Sequence, residues 1–247
     1  MFIKTIKKIY FITLKDLKTY YLKPPLISWG IIMPLALVFA FYLKNPKGIG
    51  EIIPGLIGMV ILFGSTSMEG VVITFEKRVG TLERLLLAPV RKSSLLLGKM
   101  LSGVIFGFLM GILFLIISLF IFDLNTNKII VTLILMFFSA TSFASLGMFV
   151  ASSVREVFEA MTLFNFFRFP MIFICGVFMP LESMPGIIKY IARFLPLTYS
   201  VDGLRGSLLN EAGVFSFGFN LFMLIFFTVI FFLLSIFTFK RRLVLEY

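Results

Sequence analysis

Six long apolar stretches constrain the fold of this chain more than any other feature of its sequence. A helix that crosses a bilayer needs about 20 mainly apolar residues. The stretches that meet this requirement are residues 26–43, 52–75, 100–122, 129–152, 161–179 and 217–239. The composition agrees, since 14% of the residues are charged, against about 25% in soluble domains. The sequence therefore predicts an all-α, polytopic membrane protein whose six transmembrane helices form a single domain over residues 1–247.

The basic residues predict how the spans are oriented. The net charge is +11, but lysines and arginines lie at the ends of the apolar runs and not on one face beside aromatic residues. This pattern is typical of membrane orientation and argues against a nucleic-acid partner. Alternate spans bring the basic segments 4–23, 77–99 and 240–242 to one side. Because basic loops face the cytoplasm, we expect a cell-membrane protein with both termini cytoplasmic.

Several kinds of chemistry are excluded by missing residues. The chain has no His, and Cys175 is its only Cys. Intrachain disulfides, Cys/His metal sites and His-based catalysis are therefore excluded, and no acidic cluster suits metal or acid–base work. The sequence also lacks a GxxxxGK[ST] phosphate loop, so we expect no nucleotide-binding domain and no cofactor in this chain. A membrane enzyme is the least favoured class of function.

The segment before the first span reads as an amphipathic helix. Apolar residues fall on one side of a helical wheel and lysines on the other, which predicts a helix along the cytoplasmic interface, ending at Pro24 and Pro25. Its lysines would face anionic lipid headgroups. The alternative is an ordinary solvated helix. In the third span, Gly103, Gly107 and Gly111 form a doubled GxxxG, which indicates close helix packing within the chain or with another.

Three polar residues inside predicted spans are candidates for the transport pathway. Glu69 and Arg168 lie at matching depths, about 9 and 10 Å from the cytoplasmic ends of their spans. An isolated charge near a span centre costs about 2.5 to 3.5 kcal/mol, so we expect the two to pair or to line a hydrated cavity. A structural ion pair and substrate contact both remain open. Asn165 bonds either a neighbouring helix or a ligand.

Two short segments outside the spans also read as helices. The loop from Glu76 to Pro89 carries leucines at helical spacing, with Thr81 as a predicted N-cap just after Gly80. Its alternative is a solvated loop that only sets topology. Between Pro180 and Pro196, around Pro185, an apolar stripe covers about ten residues, too short to span. We predict a re-entrant or interfacial helix at the outer side, or else an external loop packed over the bundle.

The charged loop also carries a family resemblance. The run Glu-Lys-Arg-x-Gly-Thr-Leu-Glu-Arg-Leu-Leu-x-x-Pro at residues 76–89 resembles the signature loop of type 2 ABC exporter permeases. That family includes drug, antibiotic and polysaccharide exporters. A second matching block occupies residues 176–180, 184–185 and 195–199, with Arg205 beyond. The likeness covers nearly the whole chain.

The resemblance implies a dimer of six-span subunits, homomeric or heteromeric, on two ATPase subunits that bind ATP and Mg. The loop would act as a coupling helix in a cleft of the ATPase, with Gly80 and Thr81 setting its turn. Spans two and five would border the substrate pathway. The coupling residues implied in this way are Glu76, Arg78, Gly80, Thr81, Glu83 and Arg84, with Arg155 and Glu156 from a second inner loop.

The resulting hypothesis is a non-enzymatic permease subunit of an ATP-driven exporter that works by alternating access. A secondary transporter or channel that uses Glu69 and Arg168 as an ion relay is the alternative. Few charges lie in the spans and no convincing internal repeat is evident, which argues against that alternative.

Overall fold

The computed structural model describes residues 2–21, 49–87, 91–122, 128–154, 156–209 and 213–245, with positions 32, 36, 39–41 and 43. Throughout this part the secondary structure is helical. Most of the predicted first span, residues 26–43, lies outside the described residues.

The helices occur in the following order. They are α1 (Phe2–Asp16, continued by a π-helical segment, Leu17–Tyr21), α2 (Ile49–Arg78), α3 (Thr81–Leu87), α4 (Lys92–Phe122), α5 (Ile129–Ser153), α6 (Val157–Ile174), a 3-10 turn (Leu181–Ser183), α7 (Gly186–Ala192), α8 (Pro196–Leu208) and α9 (Phe217–Leu245).

Within the described residues, five helices are long and apolar enough to cross a membrane: α2, α4, α5, α6 and α9. They correspond to the second to sixth predicted spans. The fifth ends earlier than predicted, at Ile174 and not at Met179, because the chain turns at Gly176 with φ +86°. L side chains rarely adopt this backbone conformation, so glycine marks the end of the helix.

Helix α2 lies at the centre of the bundle. It packs against α4, α5, α6 and α8, and α5 in turn packs against α9. Its residues Ile53, Leu56, Ile57 and Ile61 are fully buried. By contrast, α9 turns large phenylalanines outward, as expected of a helix that faces lipid. The fold therefore surrounds one buried span with outer helices.

Glycines allow α2 and α4 to approach closely. A Cβ atom added at Gly64 would lie 3.1 Å from the Cα atom of Gly107, and one added at Gly107 would lie 2.9 Å from the backbone nitrogen of Ser65. The packing role predicted for the GxxxG seam is therefore confirmed, and its partner helix lies in the same chain. Small residues bring backbones together where lipid provides no hydrophobic drive.

We predict that Gly107→Ala lowers thermal stability, because the added methyl group overlaps Ser65. Overpacking of this kind costs about 1–3 kcal/mol. The matched control is Gly218→Ala in α9, where an added Cβ meets nothing within 4 Å. Melting temperatures of the purified proteins in one detergent check this, and equal temperatures for the two variants would contradict the close α2–α4 contact.

Helix α1 has three faces, whereas the sequence suggested two. One face docks on α4, where Ile12 is buried against Gly98 and the Thr13 hydroxyl donates to the Gly98 carbonyl at 2.8 Å. A second face exposes Ile6 and Tyr10. Lysines such as Lys7 form a third. The helix is therefore amphipathic, as predicted, and is also fastened to the bundle.

The segment between Pro180 and Pro196 contains the predicted short helix, α7. Pro180 precedes the 3-10 turn and Pro185 precedes α7. Most of the apolar stripe points away from the bundle, since Ile187, Ile191 and Phe194 are exposed, whereas Ile188 packs inward. Pro196 begins a further helix, α8, that the sequence analysis missed. Helix α8 is almost wholly buried against α2, α5 and α9.

Candidate functional site

The charged loop forms an elbow, defined as residues 76–87, at the C-terminal end of α2. Helix α2 ends at Arg78, the chain turns at Gly80 with φ +70°, and α3 begins at Thr81. The turn and the short helix therefore lie where the sequence placed them. The Thr81 hydroxyl, predicted as an N-cap acceptor, instead donates to the Glu76 carbonyl at 3.3 Å. This hydrogen bond gives a partner to a carbonyl in the last turn of α2, where no further helical N–H group follows.

Helix α3 is amphipathic, as its leucine spacing predicted. Leu82 is buried and Leu85 packs against the same core, whereas the Arg84 side chain is exposed. Arg78 at the end of α2 is exposed as well. The elbow therefore rests on the bundle through leucines and presents basic groups outward.

A group of four charged side chains lies directly beneath the elbow. This inner charge cluster consists of Lys15 and Asp16 at the end of α1, Glu76 of α2 and Lys99 of α4. The Lys99 ammonium lies 2.5 Å from a Glu76 oxygen and 3.2 Å from an Asp16 oxygen. Lys15 contacts Glu76 and lies 2.9 Å from Asp16. The cluster therefore joins three helices.

The cluster is electrically balanced and mostly buried. Asp16, Glu76 and Lys99 are at most 2% exposed, and Lys15 is 38% exposed. Burial disfavours the Lys15 ammonium, but hydrogen bonds with Glu76 and Asp16 outweigh it and raise the pKa of Lys15. Its charge is therefore retained at neutral pH. Removal of one member leaves an uncompensated buried charge, which is more costly than loss of a surface pair.

The predicted coupling residues divide into exposed and buried groups. Arg78, Arg84 and Glu156 are exposed, but the Glu76 carboxylate points inward into the cluster and does not face outward as expected. The Glu83 side chain and Arg155 lie outside the described parts of the structure. The Lys77 ammonium donates to the Val154 carbonyl at 3.3 Å, so the elbow lies beside the loop that joins α5 to α6.

Asp16 and Lys99 were not predicted from the sequence as members of a site. Lys99 was counted as an orientation marker at the start of a span. A signal for Asp16 was present, because Asp16 shares one helical face with Ile9 and Ile12, where a carboxylate is unexpected. An acidic residue on the apolar face of a helix indicates a buried partner.

We predict that Lys99→Met destabilises the protein by about 3–5 kcal/mol, since it leaves Asp16 and Glu76 with only Lys15 as a partner. Lys92→Met is the control, because Lys92 is exposed on the same helix. Thermal unfolding followed by helical circular dichroism distinguishes the two. Similar melting temperatures would show that the cluster does not hold the bundle together.

Arg168 is bound within the bundle and is not paired with Glu69. Its Nε and Nη2 atoms donate to the Thr66 hydroxyl oxygen at 2.9 and 2.5 Å. The guanidinium lies 4.8 Å from the ring centres of both Phe63 and Phe164, which adds cation–π stabilisation. Among the described residues, no carboxylate lies within ion-pair distance of Arg168.

Glu69 faces a different side of α2. A Cβ atom added at Gly103 of α4 would lie 3.0 Å from the Glu69 Cδ atom. A Cβ atom added at Gly147 of α5 would lie 3.0 Å from the Glu69 Oε2 atom. Arg168 reaches α2 from α6. The predicted pairing of Glu69 with Arg168 is therefore wrong for this structure, because Glu69 points from α2 toward α4 and α5, whereas Arg168 reaches α2 from α6 and bonds to Thr66.

Asn165 is the exposed member of the predicted pathway residues. It lies on the outer face of α6 with Thr162 and Phe166, all of which are exposed. Glu69 and Arg168 are buried within the chain. The structure therefore does not bring the three residues together.

Long apolar helices around a buried central span define a multi-pass membrane protein. Residues 7–209 match the ABC-2 type transporter family. Because this match covers most of the chain, the protein belongs to that family.

Relatives in this family are named as permeases. The chain is 27% identical over 179 residues to "Probable multidrug ABC transporter permease YbhS" of Escherichia coli, covering 70% of this chain and 47% of the relative. It is 25% identical to "Linearmycin resistance permease protein LnrN" of Bacillus subtilis, covering 64% and 41%. It is 26% identical to "Inner membrane transport permease YadH" of Escherichia coli, covering 62% and 60%. The chain thus spans about half the length of these relatives.

Proposed function

We propose that this chain is the membrane-spanning permease subunit of an ATP-driven exporter, with both termini in the cytoplasm. A separate ATPase subunit binds ATP and Mg and drives the permease between inward-open and outward-open states. Family membership and the names of the relatives support this proposal. ATP binding shifts the equilibrium between the two states because the ATPase binds them with different free energies.

The main support for this proposal is the way in which the elbow is attached to the bundle. Arg78 and Arg84 are exposed on it, beside the exposed Glu156 of the neighbouring loop. The base of the elbow is joined to α1 and α4 through the Glu76 carboxylate. Displacement of α3 by an ATPase would therefore move α2, α4 and α1 together. A loop that only set topology would need no such attachment.

The outer face of α6 supports a pathway at an interface between two permease subunits. Asn165 and Thr162 are exposed on a helix long enough to span the membrane. A polar side chain in lipid is unfavourable unless another helix or water meets it. We infer that this face meets a second permease subunit, identical or related, and borders the substrate path. The exposed apolar stripe of α7 fits a position at the membrane surface near the exit.

The alternative of a secondary transporter or channel receives no support from the site. An ion relay between Glu69 and Arg168 requires the two groups to exchange ions or protons directly or through water. Glu69 faces α4 and α5, whereas Arg168 reaches α2 from α6 and is already bound to Thr66.

The function is tested by reconstituting the chain with its ATPase in vesicles. ATP-dependent movement of substrate and substrate-stimulated ATP hydrolysis are measured across a panel of lipids, hydrophobic drugs and ions. We expect stimulation by one class of compound. Transport at full rate by the chain without any ATPase would overturn the proposal.

The role of the elbow is tested by Arg84→Glu. We expect about tenfold weaker binding of the ATPase, a loss of about 1.4 kcal/mol, because an exposed charge is reversed at the contact. Thermal stability should not change, since Arg84 is exposed. Arg193→Glu, exposed beyond α7, is the control and should retain binding. Equal binding by both variants would contradict the coupling role.

A further inference from the structure

Glu69 is a buried acid without a visible partner. It lies within α2, one of the helices long enough to cross the membrane, and is 1% exposed. Neither carboxyl oxygen has a hydrogen-bond partner. The hydroxyl of Ser65, one helical turn away, also has none. Buried polar groups are nearly always hydrogen-bonded, so this site needs an explanation.

The immediate surroundings of the carboxyl group are backbone and not counter-ions. Gly103 of α4 approaches one side of Glu69 and Gly147 of α5 approaches the other. An added Cβ atom would come within 3.0 Å of the carboxyl group at both glycines. These contacts leave little space for a hydrated metal ion between the helices.

The charged groups on the neighbouring helices are already engaged. From α4, Lys99 is bound to Glu76 and to Asp16 of α1. From α6, Arg168 is bound to Thr66. Helix α5 carries no charged side chain over Ile129–Ser153, and on α8 Arg205 donates to the Gly176 carbonyl near the outer end. Glu69 therefore has no cation of its own among the described residues.

An ionised carboxylate in this position would be unfavourable by several kcal/mol. The protonated acid occupies nearly the same volume, carries no charge and gains an O–H donor. The O–H group can donate to a backbone carbonyl, as serine and threonine hydroxyls do elsewhere in these spans. Protonation therefore removes the charge without changing the helix packing.

We propose that Glu69 is a proton-binding site: it holds a proton while α2, α4 and α5 are packed together, and loses it when these helices separate. On separation, the carboxyl O–H bond breaks and the proton passes to water that enters between the helices. Repacking takes a proton back from water. The binding step concerns this structure alone, whereas the release step rests on the proposed transport cycle.

The binding step is tested by infrared spectroscopy of the purified chain. The wild-type protein at neutral pH should show the carbonyl band of a protonated carboxylic acid, shifted by deuterium exchange and absent from Glu69→Gln. Glu182→Gln is the control, because Glu182 is exposed and should not contribute such a band at neutral pH. A wild-type spectrum without the band at neutral pH overturns proton binding.

Thermal stability provides a second measurement of the same step. Glu69→Gln is neutral and similar in size, so its melting temperature at neutral pH should match that of the wild type. Added sodium should not raise the wild-type melting temperature. Stabilisation of the wild type by sodium that the variant lacks would identify a bound cation and overturn the proposal.

The release step is tested with the reconstituted exporter. Wild-type ATP-driven transport should fall as pH rises, by at most about tenfold per pH unit for one proton, because repacking requires proton uptake. Glu69→Gln should lose this alkaline fall. If the wild type and Glu69→Gln give superimposable pH profiles, proton release is overturned, and the infrared result still decides proton binding. If neither protein shows ATP-driven transport, the proposed function has failed.

Discussion

Two carboxylates and two ammonium groups meet at the elbow end of the bundle, and the arrangement of α1, α2 and α4 depends on their pairing. Each charge in this cluster is tolerated because the opposite charge lies within about 3 Å. The pairs connect the amphipathic α1 to the two spans on either side of the elbow. Without them, hydrophobic contacts and the Thr13–Gly98 hydrogen bond would have to hold α1 against α4, and lipid competes with the hydrophobic contacts.

The same cluster attaches the elbow to the helix bundle. The first carboxylate of the charged loop is an internal anchor, and the basic groups beyond it remain at the surface. Helix α2 continues from the elbow to the opposite end of the bundle, where Gly55 lies against the backbone of Val177. A single buried helix thus links the elbow to the segment around Val177 at the other end of the bundle. This continuity is what long-range coupling through a membrane domain requires.

Polar residues show where one-dimensional reasoning succeeds and where it fails. Depth in the membrane follows from counting residues, since each adds 1.5 Å of rise. Which neighbouring helix a side chain faces can be stated only when the positions of those helices are known. Glu69 and Arg168 have similar predicted depths, but Glu69 faces α4 and α5 whereas Arg168 bonds to Thr66 of α2. Helix α8 was missed for a related reason: its Pro196 was read as the end of a segment, and it is instead the first residue of a buried helix.

The sequence by itself determined the membrane environment, the spans that the structure describes, the amphipathic α1, the turn at Gly80 and the family likeness. These properties depend on local composition, because hydrophobic length, helical periodicity and glycine conformation are features of neighbouring residues. Tertiary structure alone decided that Glu76 turns inward to Lys99, that Arg168 binds Thr66 and that Glu69 faces glycines. These contacts join residues far apart in the chain, and only the packing of helices around α2 selects among the possible partners.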